Sequence, residues 1–448
     1  MRPPRRGGPP ALPAVGPPPL PSPWRGAGGG VLAGDAFRTR PVTRPAMVWT
    51  ARIAAILATM ALVAVFWQID RVAINRPWTA GVDILPLWLG AEAVRTGQDP
   101  CDPRVAAAIF GQEGHGMHVG GFINHYPPTA PLLFLPARML GLSLRQLSPW
   151  IRTVLVAAEA VGIALAALAS VPRERGAWGL ATAFSLTALL LGTRLARIVI
   201  PTSQPGPLVV LVVGSVLFAL SRSRGGFAGA VVAVGAAIKL APVVMVAGIW
   251  QLRERRGVLG FLAVMLLFTF AYAATGAPFA PGSWLTGVVG FVNQPEMASR
   301  AVREGALLTT LCSYRIPVST VVASGLVALS LRRPPSAALA TGAGASSFAA
   351  VALIMAGSHH EHEALLVLPL VAWVASWPVA EPRSRLSWFT AISVLSSLLV
   401  GSAFTMAGPP DSLRWLGIAY VIAAGVWLRT GILLWSTRPG ARAEAAFG

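Results

Sequence analysis

The chain has 448 residues, 54% of them hydrophobic and 12% charged, with a net charge of +19 and a mean hydropathy of +0.64. A soluble domain carries about a quarter charged residues, so a water-soluble globule is excluded. The arginines sit mostly in short loops between apolar runs, where they act as positive-inside signals. Membrane lipid is therefore the expected surrounding and no nucleic-acid partner is expected.

Residues 1–46 are rich in Pro, Gly and Arg and show no periodicity. They cannot bury a core and read as a disordered cytosolic tail. No apolar segment follows their basic start within reach, so they do not read as a signal peptide. The membrane domain is expected over 47–436, with a second cytosolic tail over 437–448.

The first span is expected at 52–69, with its basic N-terminal side in the cytosol. Residues 70–126 then form the longest moderately polar segment, a first outer loop. Within it, ILPLWLGAEAV and DPRVAAAIFGQ read as short amphipathic helices at the interface. Further apolar runs lie near 128–142, 151–171, 178–200, 207–220, 227–250, 258–274, 307–331, 337–356, 364–377, 386–406 and 413–435. The fold class is all-α: a polytopic transmembrane helical protein with about 10 to 12 membrane helices.

One conflict is informative. The basic loops 221–226 and 252–257 flank a single run, yet both ask for the cytosol. That run contains AAIKLAP, with Lys239 and Pro242 at its centre. A charge and a helix breaker at mid-run predict two half-helices in a re-entrant hairpin. The Pro-rich run PPTAPLLFLPARML is the candidate for a segment that does not cross.

The rare residues mark the chemistry. The six histidines form two groups, His115, His118 and His125 in the first outer loop, and His359, His360 and His362 in SHHEHE. Lys239 is the single lysine, and a lysine at bilayer depth needs a polar partner or a wet cavity. Asp83, the histidines, Gln204 and Lys239 can converge on one cavity that opens outward. Plainer roles stand beside this one. Asp83 can be the N-cap of the helix that follows it, Lys239 can snorkel, and the second histidine group can be a solvated loop. Arg194 and Arg197 either hold a phosphate or mark an interface. The HHEHE spacing matches no standard metal motif, so no metal is expected, nor any cofactor. Cys101 and Cys312 have no zinc spacing, and pair only if both face an oxidising side.

Taken in order, an outer-loop Asp, G-x-x-P-x-D, H-Y-P-P, a Gln opening an apolar run, A-A-I-K-x-x-P and a basic R-E-R-R loop resemble glycosyltransferase family 87 of the GT-C superfamily. That family includes polyprenyl-phosphate-mannose-dependent α-mannosyltransferases and is related to arabinofuranosyltransferases. Asp83 matches the carboxylate of the reaction centre. His125-Tyr126-Pro127-Pro128 matches the Tyr-x-Pro segment, Ser203-Gln204 the Gly-Gln, and Lys239-Leu240-Ala241-Pro242 the Lys-x-x-Pro. The chain departs from the family at Cys101, where an aromatic is usual, and at Ser203 and Gly206.

The resemblance implies a multi-pass enzyme of the plasma membrane with its active site on the outer face. It implies a polyprenyl-phosphate sugar donor, mannose or arabinofuranose, and a glycolipid or polysaccharide acceptor. No Gly-rich phosphate loop or soluble nucleotide-sugar domain is evident in the sequence, which agrees with a lipid-linked donor. Asp83 is then the general base. Lys239, Arg194, Arg197, His359, His360 and His362 are candidates to stabilise the leaving phosphate. His125, Tyr126 and Gln204 orient sugar hydroxyls, and transfer inverts the anomeric centre. The competing class is a transporter or flippase of a lipid-linked sugar, since a broken helix with a midplane lysine fits both.

Overall fold

In the computed structural model, the residues described are 45–75, 84–112, 126–193, 196, 205–251, 255–282, 284–285, 368–380, 382–383 and 385–406. Contacts divide the chain into Met1–Pro45 and Ala46–Gly448, and the described architecture belongs to the second unit.

All regular structure among the described residues is helical. Helix α1 is Pro45–Asn75, α2 Leu85–Arg95 and α3 Pro103–Gln112. A 3-10 turn, Ala130–Leu133, leads into α4, Leu135–Met139. Then come α5 (Leu144–Ser170), α6 (Gly176–Leu191), α7 (Gly206–Ser221) and α8 (Gly225–Ile238). A 3-10 segment, Ala241–Met245, precedes α9 (Val246–Gln251) and α10 (Arg255–Ala274). Last are α11 (Leu368–Ala375), α12 (Trp377–Ala380) and α13 (Arg385–Met406).

Among the described residues, three helices are long and apolar enough to cross a membrane: Met47–Ile69, Leu144–Ser170 and Arg255–Ala274. The runs expected at 307–331, 337–356 and 413–435 lie outside the described residues. The Pro-rich run forms only the 3-10 turn and the five-residue α4. At about 1.5–2 Å per residue neither can span about 30 Å of hydrocarbon, as expected of a segment that does not cross.

The core is a helix bundle. Helix α7 is buried along most of its length, and every residue of α11 is buried. Val156, Ile163 and Ala166 of α5 pack with Leu186 and Leu190 of α6 and with Val213 and Leu217 of α7. Helices α5 and α7 touch backbone to backbone. A Cβ on Gly214 would fall on the Gly162 carbonyl oxygen, and one on Gly162 would meet the Val210 backbone. Small residues permit this approach, and in lipid, packing of this kind is a main source of helix association.

The segment from α8 to α10 is the expected hairpin. Helix α8 ends at Ile238, and Lys239 leaves it with extended backbone angles, φ −148° and ψ 131°. The cause is local: Pro242 has no amide hydrogen to donate to the Ile238 carbonyl, so the α-helical bond that would carry α8 onward cannot form. The chain then doubles back, so that a Cβ on Gly235 would lie 3.1 Å from Pro242. A Cβ on Gly229 would overlap the Gly257 carbonyl, and one on Gly260 would meet the Gly226 carbonyl oxygen. The start of α10 therefore sits beside the start of α8. Thirty residues of chain leave and return to one level, and each limb reaches only about 20 Å. The two basic loops are on one side because the run between them does not cross.

Helix α2 differs from expectation. Its residues from Leu85 to Ala91, with Ala93 and Val94, are all buried. It is enclosed by α3, α4 and the 3-10 turn rather than lying with one face against lipid. Ile84, at the head of α2, has helical backbone angles, φ −91° and ψ −15°. Asp83, and with it the capping role considered for its carboxylate, lies outside the described residues.

Candidate active site

The motif Gly97-Gln98-Asp99-Pro100-Cys101-Asp102 is a helix stop followed by a helix start. Gly97 takes φ +69°, and the Gly97 and Gln98 amides donate back to the Val94 and Ala93 carbonyls. This geometry suits glycine at the end of α2. The Asp99 carboxylate accepts the Cys101 amide at 2.9 Å, and that of Asp102 accepts the Arg104 amide at 2.8 Å at the head of α3. Cys101 is buried. Burial, and then the charge of Asp99, push its thiol up to about 12.

Above α5 a second apolar cluster gathers Ile84, Leu87 and Trp88 with Ile109, Phe110, Tyr126 and Leu144. Tyr126, at 4% exposure, is part of this core. Its carbonyl accepts the Trp284 indole N–H at 2.9 Å. Arg138 lies with its guanidinium 4.7 Å from the centre of the Trp88 ring. Its Nε donates to Glu92 Oε2 at 2.8 Å, and Arg95 Nε donates to the same oxygen at 2.8 Å. The hydrogen bond from Arg95, followed by that from Arg138, holds the Glu92 carboxyl below the usual carboxylate range, against the opposing effect of burial.

The Tyr126 turn reaches the hairpin. The Thr129 hydroxyl donates to the Ala237 carbonyl at 3.0 Å. Ala237 is in the last turn of α8, whose carbonyls lack intrahelical partners. Two residues on, Lys239 is half-buried, with its amide donating to Gly235 at 2.8 Å. The end of α10 arrives at the same level, where Tyr272 and Ala277 pack with Val94, Leu132 and Leu135. One end of the bundle thus carries α2 to α4, the Tyr126 turn, the hairpin tip and the end of α10.

Of the site residues expected from sequence, Tyr126 and Lys239 are described, and the segments carrying them are joined. Asp83, His125, Arg194, Arg197, Gln204, His359, His360 and His362 lie outside the described residues. Among the described residues, no group of three His, Cys, Asp or Glu side chains could hold a metal. Sequence reasoning missed Thr129 and Trp284, whose bonds run to backbone atoms 108 and 158 residues away. It also missed Arg152 and Glu159, both buried on one face of α5. Their spacing of seven inside an apolar run was a readable signal.

The fold and this end of the bundle define a helical membrane protein with a re-entrant hairpin docked on a loop-borne helical cap. The family model of glycosyltransferase family 87 matches residues 124–329, somewhat under half of the chain. The match indicates a glycosyltransferase. It covers the Tyr126 turn, α5 to α10 and Lys239, and excludes Asp83 and the second histidine group. No curated protein and no solved structure matches the chain.

Proposed function

We propose that the chain is a GT-C-type glycosyltransferase. It moves a sugar, mannose or arabinofuranose, from a polyprenyl-phosphate donor to a glycolipid or polysaccharide hydroxyl. Transfer takes place on the outer face of the plasma membrane and inverts the anomeric centre. One observation carries the reading: the Thr129–Ala237 bond joins the Tyr126 turn to the Lys239 break inside the stretch that matches the family.

Within this proposal each residue has a part. Asp83, one residue before the buried Ile84, takes the proton of the acceptor hydroxyl. Lys239, Arg194, Arg197 and the His359, His360 and His362 group offer positive charge to the phosphate as it leaves. His125, Tyr126 and Gln204 orient sugar hydroxyls. A lipid-linked donor already resides in the bilayer, so a lateral approach and an outward pocket are all that binding requires.

The test is incubation of the full-length protein in lipid with radiolabelled polyprenyl-phosphate sugars and envelope extract. Transfer of label to an acceptor is expected. Asp83→Asn should abolish it, and Lys239→Ala should reduce it by about 10²-fold or more. The hairpin also suits a carrier. Label that changes leaflet while still attached to its donor, with no transfer, would establish the transporter or flippase instead.

A further inference from the structure

The end of the bundle away from the candidate site is assembled from four loops. Arg222, at the close of α7, donates to the Leu168 and Val171 carbonyls at 3.4 Å each, fastening 222–226 to 171–175. Arg175 donates to the Val379 carbonyl and brings in the segment before α13. A Cβ on Gly226 would lie 3.6 Å from the Arg256 Cβ, so the start of α10 borders the start of α8. The four loops therefore form one continuous face.

That face is strongly basic. Arg173, Arg224, Arg255, Arg256, Arg383 and Arg385 are exposed on it. Among the described residues none of the six is ion-paired with a carboxylate. In sequence the four loops hold nine arginines against three glutamates: Glu174, Glu254 and Glu381. Arg222 feels the crowding, since burial and then the neighbouring Arg173 lower its pKa. Exposed aromatic rings stand close to the arginines along the chain: Trp178 at 38% exposure, Phe227 and Trp250 at 58%, Trp388 at 49% and Phe389 at 70%. The tryptophans among them, Trp178, Trp250 and Trp388, settle at headgroup level, where the ring meets hydrocarbon and the indole N–H meets water. The rings therefore place the guanidinium groups among lipid phosphates.

We infer that this face is a docking surface for acidic phospholipid headgroups of the leaflet it borders. Two features separate this from a bare topology signal. The arginines come from four loops that the fold draws together, so they act as one field. They are also arginines, whose planar fork takes two phosphate oxygens at once and stays charged throughout the physiological pH range. Binding should therefore weaken with salt and be indifferent to pH between about 6 and 9. The inference stands apart from the proposed glycosyl transfer, which concerns the opposite end.

The experiment uses the full-length protein in nanodiscs of equal phosphatidylglycerol and phosphatidylcholine. Lipids retained after partial delipidation are counted by mass spectrometry. An excess of phosphatidylglycerol is expected, and Arg224→Gln, Arg255→Gln and Arg256→Gln together should lower it by about fivefold per arginine. The same three positions changed to lysine should keep much of the preference for phosphatidylglycerol. Arg104→Gln with Arg145→Gln, exposed residues at the other end, should leave it intact. Should the triple glutamine variant fail to insert, the wild-type excess must still fall in about 1 M salt, beyond the screening range of surface charge. Equal retention of the two lipids by the wild type would overturn the inference. So would an unchanged excess in the inserted triple glutamine variant, or an equal loss in the Arg104 and Arg145 control. Co-purifying nucleic acid that excludes phosphatidylglycerol would assign the face to another partner and also overturn it.

Discussion

The Thr129 hydroxyl is bonded to the Ala237 carbonyl at 3.0 Å, across 108 residues of chain. This bond satisfies a carbonyl at the end of a half-helix, where the alternative is an orphan acceptor away from water. It also fixes the separation of the Tyr126 turn from Lys239. Thr129→Val keeps the shape and deletes the donor. It should destabilise the protein by about 1–3 kcal/mol, seen as a lower melting temperature in lipid. In the transfer assay kcat should fall more than KM changes, and Thr129→Ser should restore both. Full activity in the valine variant would show that the two segments are held by other contacts.

The close approach of α5 and α7 gives a sharper stability prediction. A side chain at Gly214 has nowhere to go except the Gly162 backbone, which cannot yield as a flexible side chain does. Gly214→Val should cost about 3 kcal/mol or more, and should reduce the yield of folded protein. A Cβ on Gly111 meets nothing within 4 Å, so Gly111→Ala is the control and should be close to neutral. Fluorescence-detected size-exclusion chromatography during heating compares the two directly.

Glu92 predicts a pH effect with a definite sign. Its pKa is lowered from the ordinary 4.5 by the bonds from Arg95 and Arg138. A carboxyl held below its unfolded value stabilises the fold fully above about 4.5, and loses that contribution as pH falls through the lowered native value. Glu92→Gln should therefore lower the melting temperature at pH 7, at a cost of about 1–2 kcal/mol. The gap between variant and wild type should close below the ordinary carboxylate range. A gap that is constant from pH 7 to pH 3 would mean that the carboxylate charge does not matter.

The hairpin was legible in the sequence because two independent signals agreed. Basic loops on both sides denied the run a crossing, and Lys239 with Pro242 supplied the place to turn. The short, broken form of 128–142 was legible from its prolines. Helix α2 was placed correctly along the chain but with the wrong surroundings. ILPLWLGAEAV looks amphipathic, with Glu92 on its polar face, yet Arg138 receives that carboxylate and the whole helix can then be enclosed. Periodicity reports which residues share a face and is silent on what covers it. The contacts of Thr129 and Trp284 were illegible for a related reason. A single hydroxyl or indole bonded to a distant backbone carbonyl leaves no spacing to read. The motif Gly97 to Asp102 shows the reverse. It carried the family resemblance, and its atoms are engaged in ending one helix and starting the next.

Cys101 offers a chemical test of how tightly that turn is sealed. The thiolate is the species that reacts with maleimides, and a free cysteine near pKa 8.5 is substantially reactive at pH 8. Cys101 is buried, its thiol is pushed up to about 12, and the Asp99 charge adds to the effect. At pH 8 the thiolate fraction is then on the order of 10⁻⁴. In a Cys312→Ser background, N-ethylmaleimide should label the folded protein at least about 10³ times more slowly than the detergent-unfolded chain. Asp99→Ala removes the oxygen that accepts the Cys101 amide, and opening of the turn should speed labelling, in the same direction as loss of the negative neighbour, which eases thiolate formation. The two effects of that substitution separate with pH. Loss of the charge alone shifts the whole rate profile to lower pH, whereas opening of the turn raises the rate at every pH. Labelling of the folded wild type at the unfolded rate would show that the turn between α2 and α3 stands open to water.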